Sequence, residues 1–276
     1  MTDSENGTPA VAVVTGGGAG IGAAVCRRLA QAGWHVIVND ISAPAGERTA
    51  AELQRDGGQC SLVAGAAHEP EVAEAIRALI AGQHHGRIDL LVNNVGDFRP
   101  AARTFAHSTS GQWQQLYEVN LLHVFQLTHV LLPAMIARRA GSIVNVSTVE
   151  AFRGIPGHAV YSAFKAGVTG FTRSLAVEVG QYGIRVNAIA PDLMDTEQTP
   201  RAAMLRGRPE PSVRTWVPLG RFGEPDDCAR VVEFLASPAA GFVTGHTITV
   251  DGGTLAASGW YGRADGKGFT NLPNQP

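Results

Sequence analysis

A glycine-rich turn between an apolar run and a helical pattern is the strongest constraint on how this chain folds. The stretch VAVVTGGGAGIGAAVCRRLA carries Gly16, Gly20 and Gly22 where a strand turns into a helix. Glycine supplies the positive φ angles and the close backbone approach that such a turn needs. The helix that follows presents free amides and a partial positive charge, which suit a pyrophosphate. The turn therefore predicts a strand–turn–helix unit that binds a dinucleotide.

Short apolar runs recur along the chain between helical patterns. WHVIVND, IDLLVNN and SIVNVST are too short for helices and suit strands buried on both faces of a parallel sheet. Seven such runs predict an α/β fold, a Rossmann-type doubly wound seven-stranded parallel sheet with helices on both faces. A length of 276 residues with 45% hydrophobic content fits one domain. We assign it to residues 10–253, with a flexible leader at 1–9 and a C-terminal extension at 254–276.

The segment YSAFK opens a helical pattern after the fifth apolar run. Tyr161 and Lys165 are four residues apart, so they share one face of a helix. A nearby ammonium stabilises a phenolate and lowers the pKa of tyrosine from its ordinary value of about 10. The pair therefore indicates a tyrosine that acts as an acid and base. Taken alone, the same spacing also fits an ordinary solvated helix face.

Four motifs occur in order along the chain: GxxxGxG, Asn93-Asn94-Val95-Gly96, Asn120 and YSAFK. With them, the chain from Val11 to Gly253 resembles the short-chain dehydrogenase/reductase family in its compact, single-domain, NAD-preferring form. The resemblance implies that Asn120 holds a water in a proton path, and that residues 197–217 form a mobile substrate lid. The cofactor-binding residues that it implies are Gly16, Gly20, Ile21, Gly22, Asp40, Ile41, Asn94, Tyr161, Lys165, Met194 and Thr196.

Two positions indicate NAD as the cofactor. Asp40 ends the second apolar run, 24 residues after Gly16. A carboxylate there accepts the ribose hydroxyls of the adenosine and repels a 2′-phosphate. Members of the family that bind NADP usually carry a basic residue just before the second motif glycine, where this chain has Ala19. The alternative for Asp40 is a simple helix cap.

The chain departs from the family at two positions near the expected site. The family's catalytic serine lies thirteen residues before the tyrosine, and Thr148 stands there. Ser147 is the alternative, but a one-residue slip would invert every neighbouring side chain of the strand, so we favour Thr148. The family's Pro-Gly after the sixth strand is Pro191-Asp192 here, which puts the local turn in doubt. Thr196 keeps the spacing for a hydroxyl on the nicotinamide carboxamide.

These features predict an NAD-dependent oxidoreductase that interconverts a secondary alcohol, expected to be cyclic or bulky and apolar, and its ketone. Tyr161 would transfer the proton, Lys165 would lower its pKa, Thr148 would bind the substrate oxygen and Asn120 would hold the water. No metal is expected. A 3-oxoacyl thioester reductase shares every motif, but Asp40 and Ala19 argue against it, since biosynthetic reduction usually draws on NADP. A nucleotide-sensing protein without catalysis is the third alternative.

Charge and composition give no reason to expect a nucleic acid or a membrane as partner. The formal net charge is −2, and the first ten residues are polar and acidic. Three scattered cysteines suit reduced thiols in a cytoplasmic protein. The partners expected are therefore a small alcohol or ketone and further copies of the chain, in a homotetramer.

The lid and the C-terminal extension each allow two interpretations. The lid carries Arg201, Arg206, Arg208 and Arg214, and one of them could clamp an anionic substrate group, although solvated or subunit-contact arginines are commoner. The extension contains Trp260, Tyr261 and Phe269, and rings left in water are costly. We expect it to dock across a subunit contact and to close the substrate pocket of its own or a neighbouring subunit. Docking far from any active site is the alternative.

Overall fold

The structure is a computed structural model that describes residues 8–257, 259–263, 266 and 268–270. Most of the predicted leader therefore lies outside the described residues, as do residues 271–276 of the extension.

Seven parallel strands form one sheet, in the order β3-β2-β1-β4-β5-β6-β7. The strands are β1 Val11–Thr15, β2 His35–Asp40, β3 Gln59–Ala64, β4 Leu90–Asn93, β5 Gly141–Val146, β6 Ile184–Pro191 and β7 Thr247–Val250. The strand order reverses between β1 and β4, which opens a crevice at the carboxyl ends of the strands. The predicted fold is confirmed, and it identifies this crevice as the place to look for a site.

Helices cover both faces of the sheet. They are α1 Gly20–Gln31, α2 Ala43–Arg55, α3 Pro70–Gln83, α4 Ser110–Tyr117, α5 His123–Arg138, α6 Ala159–Val179, α7 Arg201–Leu205 and α8 Pro225–Ala236. Alternate residues of β1 point to opposite faces: Ala12 and Val14 join the core under α1, α2 and α8, while Val11 and Val13 join the core under α3, α5 and α6. This double burial explains why the strands read as unbroken apolar runs.

A π-helical segment, Glu118–Leu122, joins α4 to α5 and contains the buried Asn120. The continuous helix from Ser110 to Arg138 is long and apolar enough to cross a membrane by length and hydropathy alone. Its residues Leu127, Leu131 and Met135 are, however, fully buried against the sheet. The helix is therefore a core helix of the α/β domain, and a π-bulge in such a helix often marks a functional site.

The lid and the extension pack together beside the crevice. The lid contains α7 and a 3₁₀ segment, Glu210–Thr215, and residues Val213, Val217 and Phe222 form a small core of their own. Two short antiparallel strands of the extension, β8 Tyr261–Gly262 and β9 Phe269–Thr270, form a hairpin whose first strand contacts the 3₁₀ segment. Trp260 and Tyr261 remain 56% and 39% exposed in the single chain. The hairpin thus lies on the lid of its own chain.

Candidate active site

The glycine turn has the geometry of a phosphate cradle. Gly16 and Gly20 have φ angles of 63° and 51°, and a Cβ at Gly22 would clash with the carbonyl oxygen of Gly16. No side chain caps the N-terminus of α1, so its first amides are available. The Asn94 amide nitrogen donates to the Thr15 carbonyl oxygen at 2.8 Å, which fixes the loop after β4 against the turn. These residues fit the pyrophosphate of a dinucleotide.

A cavity of about 1180 Å³ runs along the crevice from this turn to Tyr161. It brings together every proposed cofactor-binding residue except Gly22, whose part is the close packing of α1 on the turn. Of the proposed catalytic residues, Thr148, Tyr161 and Lys165 line the cavity, and Asn120 lies behind it. A wall of Ala66, Ala67 and His68 closes the end near Asp40.

Asp40 lies at the cavity edge and is held by backbone amides. Its Oδ2 accepts from Gly18 N and its Oδ1 from Ser42 N, both at 2.8 Å. Each carboxylate oxygen keeps further acceptor capacity for a ribose hydroxyl. Ala19 adds no positive charge to this part of the lining. The arrangement suits a ribose with free hydroxyls better than a ribose that carries a phosphate.

Lys165 is buried at the centre of the site. Only 2% of its surface is exposed, its Nζ donates to the Val146 carbonyl oxygen at 2.9 Å, and burial lowers its pKa to about 8. A Cβ at Gly96 would lie 2.7 Å from this Nζ, so any larger residue there would displace the ammonium. Lys165 Nζ is 6.0 Å from the centre of the Tyr161 ring.

The pKa of Tyr161 is raised, which corrects the expectation that Lys165 alone would lower it. Burial is the largest cause, and the Glu150 carboxylate adds to it by repelling a phenolate. A polar contact with the Thr148 hydroxyl acts in the opposite direction. The protein's own groups therefore favour the protonated phenol, which is the form that donates a proton.

The hydroxyls of Thr148 and Ser147 point to different sides of the strand end. Ser147 Oγ donates to the Lys165 carbonyl oxygen at 3.1 Å, which turns it towards the backbone of α6. Thr148 lines the cavity, and its Oγ1 donates to the Pro191 carbonyl oxygen at 3.4 Å. Ser147 lines the cavity too, but its hydroxyl is engaged with the backbone of α6, so we assign the substrate contact to Thr148.

Asn120 braces the loop after β4 from behind the cavity. Its Nδ2 donates to the carbonyl oxygens of Asp97 and Leu116, at 2.8 and 2.9 Å, and its Oδ1 accepts from Asp97 N at 3.1 Å. The Asp97 carboxylate in turn accepts from Gln198 of the lid at 3.1 Å. Asn120 thus supports a loop that holds the lid across the cavity mouth.

Comparison with known proteins agrees with this geometry. A family described as enoyl-(acyl carrier protein) reductase matches residues 16–254. A 3-oxoacyl-(acyl-carrier-protein) reductase from Thermotoga maritima is 38% identical over 246 residues, which cover 89% of this chain and 97% of the relative. An acetoacetyl-CoA reductase from Rhizobium meliloti is 41% identical over 251 residues, with 90% and 99% covered. The crystal structure of levodione reductase superposes with a TM-score of 0.83 at 32% identity, covering 90% of this chain and 98% of that one.

The chain belongs to the short-chain dehydrogenase/reductase family. Its members are oxidoreductases that use a nicotinamide dinucleotide, and the glycine cradle and the crevice fit that cofactor.

The prediction that the substrate is a cyclic or bulky apolar alcohol is wrong. Curated relatives with 34–38% identity over most of the chain are named 3-oxoacyl-(acyl-carrier-protein) reductase, which favours the alternative. The physical reason is that the shared motifs report hydride and proton transfer, which every substrate class of the family requires. Asp40 faces the adenosine end of the crevice and carries no information about the acyl group.

Sequence reasoning missed a polar cluster beside Tyr161. Glu150 accepts from His158 Nδ1 at 3.2 Å, and both residues line the cavity. The ring of His158 stacks on Phe98 with centroids 5.0 Å apart. Burial, ahead of the other causes, raises the pKa of Glu150. The signal available in the sequence was position, because Glu150 lies four residues after the end of β5 and His158 immediately precedes the helix of Tyr161.

Asp192 stands where the family usually has the glycine of Pro-Gly, and its neighbours accommodate it. The left-handed residue of this turn is Leu193, with φ 46°, so no glycine is needed at Asp192. The Asp192 carboxylate pairs with Arg153 at 2.6 Å and accepts from the Thr254 hydroxyl at 2.5 Å. The first residue of the extension is thereby tied to the floor of the cavity.

Proposed function

We propose that the chain is a 3-oxoacyl thioester reductase. The names of the curated relatives carry the proposal, because 3-oxoacyl-(acyl-carrier-protein) reductases and an acetoacetyl-CoA reductase match nearly the whole chain. The geometry is compatible with reduction, since Tyr161 and Thr148 line the same cavity and the phenol can supply the proton that a ketone needs when it accepts a hydride.

Each polar residue of the cavity has its own role in this reaction. When bound, the reduced nicotinamide supplies a hydride to C3 of the acyl chain. The Tyr161 hydroxyl donates its proton to the developing alkoxide at the same carbon, which gives a 3-hydroxyacyl thioester. The Thr148 hydroxyl donates a hydrogen bond to that oxygen and holds it beside the phenol. Lys165, buried and cationic at neutral pH, stabilises the phenolate that remains.

Turnover of simple thioesters tests the proposal. Acetoacetyl-CoA and acetoacetyl-N-acetylcysteamine should both be reduced, followed by the loss of reduced nicotinamide absorbance at 340 nm. Tyr161→Phe should abolish turnover and leave cofactor binding intact, because only the proton donor is removed. Reduction of simple ketones with no activity on either thioester would overturn the proposal.

We also propose that NADH is the preferred reductant, on the strength of Asp40 and Ala19. Charge repulsion of a 2′-phosphate beside Asp40 should cost on the order of a few kcal/mol in this partly enclosed site. The kcat/KM for NADH should exceed that for NADPH, and Asp40→Ala should narrow the difference mainly by improving the KM for NADPH. Equal kcat/KM values for the two coenzymes in the wild type would contradict this preference.

We further propose a cytoplasmic homotetramer. The exposed rings of Trp260 and Tyr261 support a subunit contact, because a second copy could cover apolar surface that the single chain leaves in water. Light scattering of the purified protein measures the assembly directly.

A further inference from the structure

The structure separates the lid arginines by their surroundings; one of the four, Arg214, is exposed and does not line the cavity. Arg201 is neutralised by three carboxylates, at 3.1, 2.7 and 3.0 Å: Asp195, Glu210 and Glu224. Arg206 and Arg208 are exposed, line the cavity, and form no ion pair with any residue that the structure describes. Arg201 therefore stabilises the lid, whereas Arg206 and Arg208 present unneutralised charge to the cavity mouth.

The backbone holds these two arginines at the mouth at a cost. Arg206 ends α7 in the left-handed region, with φ 50°, and Gly207 follows with φ 78°. A residue with a side chain is strained in this region, because its Cβ crowds the following carbonyl oxygen. Such strain persists where the surrounding structure imposes it, and it concentrates at ligand sites. The turn directs the chain so that both neighbours of Gly207 contribute to the lining.

Arg208 is oriented by an aromatic ring instead of an anion. Its Cζ lies 5.4 Å from the ring centre of Trp216, which also lines the cavity. Stacking of this kind fixes the guanidinium plane and leaves its N–H donors free. An arginine held in this way is prepared for a phosphate, which it can bind through two parallel hydrogen bonds.

Nearby carboxylates do not satisfy these charges. Asp97 pairs with Arg99, and Asp192 pairs with Arg153. Glu197 lies on the other side, where a Cβ at Gly20 would be 3.6 Å from its Oε2. The acids of the lining are thus engaged with their own partners or lie beside the glycine turn.

We propose that Arg206 and Arg208 form an anion subsite that binds the phosphate groups of the thioester carrier. The inference rests on the proposed function, since a 3-oxoacyl group reaches such an enzyme on a pantetheine arm that ends in a phosphate ester. The reacting carbonyl would lie between Thr148 and Tyr161, with the arm leading out past Trp216 to the two arginines. Coenzyme A and a carrier protein present the same chemistry at this point.

The test compares thioesters with and without a phosphate. In the double variant Arg206→Gln/Arg208→Gln, the KM for acetoacetyl-CoA should rise at least tenfold at low salt, with kcat unchanged. The KM for acetoacetyl-N-acetylcysteamine, which has no phosphate, and the KM for NADH should stay at their wild-type values. Arg55→Gln is the matched control, because Arg55 is exposed at the end of α2 and does not line the cavity.

Each other outcome has a defined meaning. An equal rise in KM for both thioesters would mean that the arginines only shape the lid, and a rise in the KM for NADH would assign them to the coenzyme. Either result, or no change at all, overturns the subsite. Acetoacetyl-(acyl carrier protein) should show the same rise as the CoA thioester, and a rise with CoA alone would limit the subsite to the nucleotide phosphates of CoA. If the wild type reduces neither thioester, the proposed function fails first and the subsite falls with it.

Discussion

At the scale of single residues, the site shifts the pKa values of two groups away from their ordinary values. Burial lowers the pKa of Lys165 to about 8, and burial together with Glu150 raises the pKa of Tyr161. Both shifts oppose charge in a dry pocket. Shifted pKa values of this kind are common at active sites, where a group must hold a proton until the substrate binds.

Exchanging the two neighbouring hydroxyls tests the role of Thr148. Thr148→Ala should lower kcat/KM by an amount equivalent to roughly 2–4 kcal/mol of transition-state stabilisation, which is what one oriented hydrogen-bond donor contributes. Thr148→Ser should remain near wild type because it keeps the hydroxyl. Ser147→Ala is the matched control, since Ser147 also lines the cavity but its Oγ donates to the Lys165 carbonyl oxygen. A harmless Thr148→Ala with a damaging Ser147→Ala would assign the role to Ser147.

Removing the buried ammonium should stabilise the protein. The pKa of Lys165 is about 8 in the folded protein, against an ordinary value of 10.5, so burial of the charge costs roughly 3 kcal/mol below pH 8. Between these pH values the unfolded chain binds more protons, so the free energy of unfolding of the wild type rises with pH.

Lys165→Met should therefore raise the free energy of unfolding at pH 7 by up to about that amount, and the gain should vanish near pH 10.5. Urea unfolding at both pH values measures the gain, and activity should be lost at either. A gain that does not depend on pH would show that packing, and not charge, is responsible.

At the scale of elements, the loop after β4 connects the cofactor turn, the π-helical segment and the lid. Asn94 contacts the turn, Asn120 supports Asp97 from the π-helical segment, and Gln198 reaches Asp97 from the lid. Gly96 lies in the middle of this loop, directly against Lys165. A small change in this loop should therefore affect catalysis more than folding.

Gly96→Ala should separate these two effects. The new methyl group would lie 2.7 Å from Lys165 Nζ and 3.2 Å from Asn120 Oδ1, so the ammonium must move. Because Nζ is the end of a flexible side chain, the melting temperature should change little, whereas a displacement of about 1 Å can cost about 100-fold in kcat. Gly82→Ala in α3 is the control, because a Cβ there meets nothing within 4 Å. Unchanged kcat in Gly96→Ala would mean that Lys165 tolerates the shift.

At the scale of the whole molecule, the extension acts on the cavity from outside the sheet. Thr254 binds Asp192 in the cavity floor, and the β8–β9 hairpin contacts the lid. A Cβ at Gly262 would clash with the carbonyl oxygen of Arg214, so the hairpin approaches the lid backbone closely. The extension therefore restrains the lid of its own chain, whatever further contact it makes with another subunit.

Cutting the chain after Ala257 should loosen the lid and leave Thr254 in place. We expect the KM for the thioester to rise several-fold with kcat little changed, because the reacting groups lie on the sheet and α6. Gly262→Val should act in the same direction by pushing the hairpin away from Arg214. Light scattering on the full-length and truncated proteins shows whether the hairpin also contributes to the proposed assembly. Unchanged kinetics and assembly would show that the extension has neither role.

The sequence by itself determined the features that depend on a few neighbouring residues. Glycine positions report backbone angles and close approach, so the turn at Gly16 and Gly20 was predictable, and apolar runs report burial on both faces, so the seven strands were too. Tyr161 and Lys165 share a helix face because of their spacing alone. The tertiary structure decided what depends on residues distant in the chain. It paired Glu150 with His158 beside Tyr161, and it neutralised Arg201 but not Arg206 and Arg208. It also raised the pKa of Tyr161, where a lowered pKa was expected. Burial and charge pairing arise only when distant segments meet, which is why local patterns could not reveal them.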